Sequence, residues 1–423
     1  MMRDESSGRT TITVAAGRVA DLCLLAGILF GAAAVAVAFE PLPRATPESV
    51  GIDPVRLEEV LREIEEVDGA RSVVVAHRGM VVDEAYWFGS ETTLHHVRSV
   101  TKSVTSTLIG IAVDRGFIDG IDARMVDYLP HDLRPWDPAK DAILLRHLLN
   151  HTAGFQWDEN GEFSAWASSP NPARYILDRP LATTPGSTFR YSTPATHLLS
   201  VVLDAATGMS TAEFANAYLF SDLGISDRRW EQDRQGYFFG GHGLQLRTED
   251  MAKLGLLFLD RGSWGDDELV PAAWVSEAIG IQWNGGSNYG PLQAIDYGFL
   301  WWLAHAGGHS VFIGWGWGGQ FVFCVPALDL VVAVNARWQV NEPQASAQEV
   351  ATLEVIVDEL LPLVPVRHRS PRRSLRRVLP GAPGLIPSPL RLQPAPPGRV
   401  WDLPEFRQGP VLLQPVAVFQ PEN

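Results

Sequence analysis

Residues 96–116 read HVRSVTKSVTSTLIGIAVDRG, and in them a serine, Ser99, stands three positions before a lysine, Lys102. The chain holds only three lysines, Lys102, Lys140 and Lys253, and Lys102 alone has a serine at that spacing. Positions three apart share a helix face, so a helix beginning here brings amine and hydroxyl together. A lysine with the ordinary pKa of about 10.4 is protonated and cannot take a proton. Burial lowers that value, and the positive end of a helix dipole lowers it further. A neutral Lys102 could then accept the Ser99 proton, and Ser99 could attack a carbonyl carbon. A structural reading is open as well, with Ser99 as a helix cap and Lys102 snorkelling at the surface.

The elements around the pair must decide between these readings. Val104, Leu108, Ile109, Ile111, Ala112 and Val113 cover most faces of a helix over about 101–115, with Gly116 as its stop signal. A helix apolar nearly all round is a buried helix. Upstream, Asp53 and Pro54 open a helix carrying Leu57, Val60, Leu61 and Ile64 at helical spacing. Two strands are expected at Ser72–Ala76 and Met80–Tyr86, joined at His77–Gly79.

Residues 120–295 read as helices and long loops. DAILLRHLLNHTAGF is expected to be one helix ending near His151, STPATHLLSVVLDAATG another stopped by Gly208, and TEDMAKLGLLFLDRG a third capped by Thr248. YGFLWWLA and GQFVFCVPALDLVVAVNA return to strands, with a turn at Pro326–Asp329, and SAQEVATLEVIVDELLPLV closes with an amphipathic helix. The pattern predicts an α+β fold: an antiparallel sheet formed from both chain ends, flanked by helices, with a mainly helical lobe inserted between them.

SVTKS resembles the nucleophile motif of the serine β-lactamase and penicillin-binding-protein superfamily, in the form usual in its class C β-lactamase-like branch. FRYSTPATHLLS resembles the second motif, Tyr-x-Asn, with Tyr191 as its tyrosine, and GWGGQFVFCVP resembles the third, with Trp317, Gly318 and Gly319 where Lys-Thr-Gly stands in many members. LLNHTAGF and GGHGLQLRTEDMAKLG also resemble stretches common in this branch, so the likeness spans residues 45–364. It implies a β-lactamase/transpeptidase-like fold in which Ser99 is acylated and Lys102 activates it. Tyr191, bonded to Lys102, would relay the proton. The Ser99 and Gln320 backbone N–H groups would form the oxyanion hole, and Trp317, Gly318 and Gly319 would line the substrate. The glycines suit a place where substrate approaches backbone on a sheet edge.

Two positions depart from the pattern. Thr193 replaces the asparagine of the second motif, and Trp317 replaces the lysine that holds substrate carboxylates in the third. An aromatic residue at Trp317 resembles the family VIII carboxylesterases and 6-aminohexanoate-dimer hydrolase relatives. The reading favoured is therefore an esterase or amidase acting on small, mostly uncharged acyl substrates. The alternatives are a β-lactamase or D-Ala-D-Ala carboxypeptidase-like peptidase, or a non-catalytic cell-envelope binding or sensor domain on the same fold.

Composition bounds the rest. A formal net charge of −15 argues against a nucleic-acid surface spread over the protein. Cys23 and Cys324 form no Cys-x-x-Cys pair, and Cys324, in an apolar run, reads as a core residue. His147 and His151 share a helix face with no third ligand apparent, so no metal or cofactor is expected. Leu22–Phe39 is an uncharged run of 18 residues, read as a signal peptide or membrane anchor within residues 1–40, so the protein is expected to be exported. Residues 367–423 hold 12 of the 30 prolines and nine arginines, a composition expected of a disordered tail.

The pair generates a direct test. Ser99→Ala removes the attachment point for an acyl group, and Lys102→Arg keeps a cation that cannot deprotonate. Both should lower turnover of p-nitrophenyl esters by roughly 10³-fold or more. Substantial activity in Lys102→Arg would leave Lys102 as a structural cation only.

Overall fold

The computed structural model describes residues 40–366; the expected leader and the proline-rich tail lie outside them. The described residues belong to one compact unit. Its helices are α1 (Pro54–Glu66), α2 (Val100–Asp114), α3 (Leu145–Leu149), α4 (Glu159–Ala167), α5 (Pro172–Asp178), α6 (Thr193–Thr207), α7 (Thr211–Ala215), α8 (Thr248–Leu259), α9 (Ala272–Ala278) and α10 (Glu342–Glu354). Its strands are β1 (Ala70–His77), β2 (Met80–Tyr86), β3 (His95–His96), β4 (Arg229–Trp230), β5 (Leu244–Leu246), β6 (Ser263–Trp264), β7 (Asp267–Glu268), β8 (Trp283–Tyr289), β9 (Leu292–Tyr297), β10 (Trp302–Ala306), β11 (His309–Gly316), β12 (Gln320–Val325) and β13 (Leu330–Ala336).

The main sheet has eight strands in the order β2-β1-β13-β12-β11-β10-β9-β8, and its pairings are antiparallel. Both ends of the described chain therefore build the sheet, with a mainly helical lobe between them. Strands β12 and β13 are buried along their whole length because helices cover both faces. Their side chains divide with the period of two that a strand imposes. Val322, Cys324, Val331 and Ala333 join the core shared with α2 and α8, while Phe321, Phe323, Val332 and Val334 join the core under α1 and the C-terminal helix.

The anticipated helix α1 forms, and the Asp53 side chain accepts the Val55 N–H at 2.9 Å as its cap. Gly208 closes α6 in the left-handed conformation (φ 69°) that glycine adopts without strain. Three expectations need correction. Helix α3 covers only Leu145–Leu149, because Leu144 pairs as a β-bridge with Arg124 and residues 138–142 form a tighter turn. Thr248 begins α8 rather than capping it: its hydroxyl pairs with Ser72 Oγ (2.7 Å) and accepts from Asn335 Nδ2 (3.0 Å), tying the helix to the sheet. Residues 283–295, read as part of the helical and loop region, hold strand β8 and most of β9; their Gly- and Asn-rich sequence hid a half-exposed sheet edge.

Helix α8 approaches the sheet closely because Gly255 has no side chain. A Cβ there would lie 2.7 Å from Val331 Cγ1 and 2.9 Å from both Cys324 Sγ and Val322 Cγ1. Gly255→Ala should destabilise the protein by about 1–3 kcal/mol through overpacking, offset in part by better helix propensity. A urea midpoint equal to or above that of the wild type would refute this.

Candidate active site

Arg98 adopts the left-handed region (φ 50°) and turns the chain sharply into α2. Ser99 follows at the N-cap position, yet its side chain makes no capping bond. Its Oγ instead lies 3.0 Å from Lys102 Nζ. Lys102 is buried in the first turn, and Nζ has two further neighbours: Thr193 Oγ1 at 2.8 Å and the Gly241 carbonyl oxygen at 2.9 Å.

The chemistry of these neighbours fixes the direction of each bond. A carbonyl only accepts, so Gly241 takes one amine N–H. The Thr193 hydroxyl donates to Glu159 Oε1, so its lone pair faces Lys102 and takes a second. A neutral amine has two N–H groups and one lone pair. In that neutral form the lone pair is left for the Ser99 hydroxyl proton; as the ammonium, Nζ donates to Ser99 Oγ. Burial pushes the Lys102 ammonium down to about 7, assisted by the Arg98 charge and opposed by Glu159.

Tyr191 and Thr193 come from the start of α6, where Ser192 Oγ accepts the Ala195 N–H at 3.2 Å. The Tyr191 hydroxyl is hydrogen-bonded to Ser99, and the contact with Lys102 runs through the ring face, with Nζ 4.7 Å from the centroid. Burial, then the Glu159 charge, pushes the phenol well up, so it stays protonated at neutral pH. The ring stacks on Trp302 (5.7 Å, 20°) and packs on His151 (4.6 Å), beside Tyr297 and Phe189.

Glu159 is the participant that sequence reasoning missed. It also accepts the Thr193 N–H (2.9 Å) and the Trp157 indole N–H (2.6 Å). Its only local signal is an acid in a first helical turn behind the cap Asp158, which reads as ordinary helix-dipole chemistry. His147 and His151 accept backbone N–H bonds from Leu144 (3.2 Å) and Ser192 (3.3 Å). Cys324 is fully buried in the core.

In the third motif, Gln320 is the first residue of strand β12, opposite Gly316, and is buried, with its side chain bonded to Trp317 O and Ala336 O. It is the end of β11 that meets the nucleophile turn: a Cβ on Gly316 would fall 2.4 Å from Val97 O and 3.0 Å from Arg98 Cβ. The Gly316 end of β11 is thus packed against the residues that lead into Ser99. The Trp317 indole is buried with Val340 and Ala345, and its N–H donates to Trp338 O at 3.1 Å. The Gly318 N–H points to Glu349 (2.7 Å) and the Gly318 carbonyl accepts from Gln348 Nε2, so this part of the turn faces α10.

A sheet of this topology carrying a Ser-x-x-Lys pair at the head of a buried helix is the arrangement that the sequence resemblance implied. The Beta-lactamase family profile matches residues 57–355, and the chain belongs to that family. It is 23% identical over 264 residues to the 6-aminohexanoate-dimer hydrolase of Paenarthrobacter ureafaciens, covering 58% of this chain and 66% of that protein. It is 22% identical over 277 residues to penicillin-binding protein 4* of Bacillus subtilis (strain 168), covering 56% of this chain and 58% of that one. In both comparisons the chain spans less than two thirds of the relative's length. Among solved structures, EstCE1, a hydrolase with promiscuous acyltransferase activity, superposes with a TM-score of 0.59 at 17% identity over 72% of this chain and 98% of that one, a likeness of fold.

The Lys102 environment yields a pH prediction. Only the neutral amine can accept the Ser99 proton, so kcat/KM for an uncharged ester should rise with pH through about 7. Glu159→Gln removes the negative charge that favours the ammonium, so the midpoint should move down, with a lower plateau as Thr193 loses its orienting partner. A profile flat between about pH 6 and 8, or a midpoint that moves up, would contradict this.

Proposed function

We propose that the protein is an esterase or amidase that acylates Ser99 with small, mostly uncharged substrates. The observation that carries the reading is the 3.0 Å pairing of Ser99 Oγ with a buried amine whose other neighbours leave its lone pair to the serine. In acylation Lys102 takes the Ser99 proton as Oγ bonds to the carbonyl carbon. Negative charge gathers on the carbonyl oxygen, stabilised by the backbone N–H groups of Ser99 and Trp317. The C–O or C–N bond then breaks. The leaving group takes a proton from the Tyr191 hydroxyl, and Lys102 restores it. Water enters from the same side, loses its proton to the same pair and releases the acid.

Two features support uncharged substrates. The third motif supplies no lysine, and the Trp317 indole that stands there is turned inward, so no cation from this turn meets a carboxylate. Beside Tyr191, the half-buried rings of Phe189 and Trp302 offer apolar surface suited to an acyl or aryl group. A charge desolvated without a partner costs several kcal/mol, which is several powers of ten in efficiency. The apolar run at Leu22–Phe39 supports export, as a cleaved leader or an anchor. No helix among the described residues is long and apolar enough to cross a membrane.

The test compares kcat/KM for p-nitrophenyl butyrate and nitrocefin, with mass spectrometry of the trapped acyl-enzyme. The ester should be preferred by about 10²-fold or more, with the adduct on the Ser99 peptide. Nitrocefin turnover as efficient as that of the best ester would overturn the substrate class. An adduct on another residue would overturn the nucleophile.

A further inference from the structure

The turn between β11 and β12 is fastened from behind by side chains that take no part in the chemistry above. Glu349 on α10 is buried, and its carboxylate is surrounded by donors. They are the Gly318 N–H (2.7 Å), the Gly319 N–H, the Tyr289 hydroxyl (3.0 Å) and the Trp315 indole N–H. The neighbouring Gln348 Nε2 donates to Gly318 O and to Arg337 O (2.7 Å). From the sheet side, Gln320 Nε2 donates to Trp317 O (3.2 Å) and Ala336 O (2.9 Å), and Gln320 Oε1 accepts the Ala336 N–H (3.1 Å). The two peptides that follow Trp317 thus have both N–H and both C=O groups engaged. Their fixed planes leave the preceding Gly316–Trp317 peptide little freedom to rotate.

Glycine is required for this grip. Gly318 and Gly319 sit at φ 76° and 91°, where other residues are strained. A Cβ on Gly318 would lie 2.9 Å from Gln348 Nε2 and 3.0 Å from Arg337 O. Successive N–H groups in such a turn form an anion-binding concavity, and here the acceptor is the protein's own Glu349 carboxyl, which burial pushes up to about 7 against the pull of these donors. The partners of Glu349 are all dipoles, without a cation. Burying a carboxylate this way is costly, and an apolar residue would seal the core at less cost. What the carboxylate adds is direction: four donors converge on one group and so fix the turn that carries them.

We propose that Glu349 is a positioning residue for the oxyanion hole, holding the Gly316–Trp317 peptide so that its N–H faces the carbonyl oxygen of a substrate on Ser99. The inference rests on the reading of Ser99 as the acylated nucleophile. Donors in such a hole act through placement, and small misplacements are expensive in rate.

The test uses the full chain and two readouts: steady-state hydrolysis of p-nitrophenyl butyrate, normalised by active-site titration, and the rate at which a fluorophosphonate labels Ser99. In Glu349→Gln the amide NH2 faces donors, so the grip loosens. Both kcat and the labelling rate should fall on the order of 10²-fold, with KM changed by less than about two-fold. Tyr289→Phe removes one donor of the four and should cost several-fold in the same two constants. It carries the test should Glu349→Gln fail to fold. Unchanged kcat and labelling in a folded variant, a loss confined to KM, or a lowered Tm with full activity per titrated site would overturn the role of Glu349. A wild-type protein that gives no Ser99 adduct would overturn the hydrolase reading beneath it.

Discussion

Everything at this site depends on keeping one lysine uncharged inside the protein. Lys102 is buried in the first turn of a helix that is itself buried on nearly every side. Burial disfavours the ammonium, and the sign of the consequence is definite. The folded protein binds the Lys102 proton less readily than the unfolded chain, so from about pH 7 to the ordinary lysine range stability rises with pH. Below about 7 the full penalty is present, at roughly 1.4 kcal/mol per unit of depression. The fold accepts that burden where a methionine would relieve it, and the return is an amine that titrates near neutrality 3.0 Å from Ser99 Oγ.

The lone pair of its neutral form has a direction only because other groups occupy the rest of the amine. Gly241 can only accept, and Thr193 is turned into an acceptor by the carboxylate of Glu159. The Thr193 hydroxyl thus supplies the acceptor that the amide of an asparagine would supply, provided an acid stands behind it. The second motif and Glu159 must be understood together. Neither α4, which brings Glu159, nor α6, which brings Thr193, achieves the orientation alone. The turn between β11 and β12 follows the same logic, since its polar groups are held by side chains from α10 and β12.

How much of this was legible in the sequence follows from how local each determinant is. Ser99 and Lys102 are three residues apart on one helix, so spacing alone places them together. Tyr191 opens an apolar helix ended by Gly208, again a local pattern. The interleaved strands β12 and β13 announce themselves as uninterrupted apolar runs. Glu159 and Glu349 were not legible, because each is an acid on a short polar stretch whose role appears only when distant chain packs against it. The burial of Trp317 was hidden for a different reason. A motif position fixes where a residue lies along the chain, but in a turn with two left-handed glycines it does not fix which way the side chain points. Strands β8 and β9 escaped notice because a half-exposed, glycine-rich edge lacks the alternation that marks a strand.

Arg98 sits where the nucleophile turn, Lys102 and the aromatic residues meet. Its left-handed backbone is strained for a residue with a side chain, and strain of this kind persists where the surroundings over-determine it. The guanidinium lies over the Trp338 ring at 4.7 Å and the Phe163 ring at 5.8 Å, and its Nε is buried without a hydrogen-bond partner. The aromatic faces hold the cation without neutralising it, as a carboxylate would. Its charge helps to lower the pKa of Lys102, while Glu159 acts in the opposite direction. Two demands conflict at Glu159: orienting Thr193 requires a carboxylate, and a neutral Lys102 is disfavoured by one. A cation held on aromatic rings beside the nucleophile offsets part of that conflict without competing for the Lys102 hydrogen bonds.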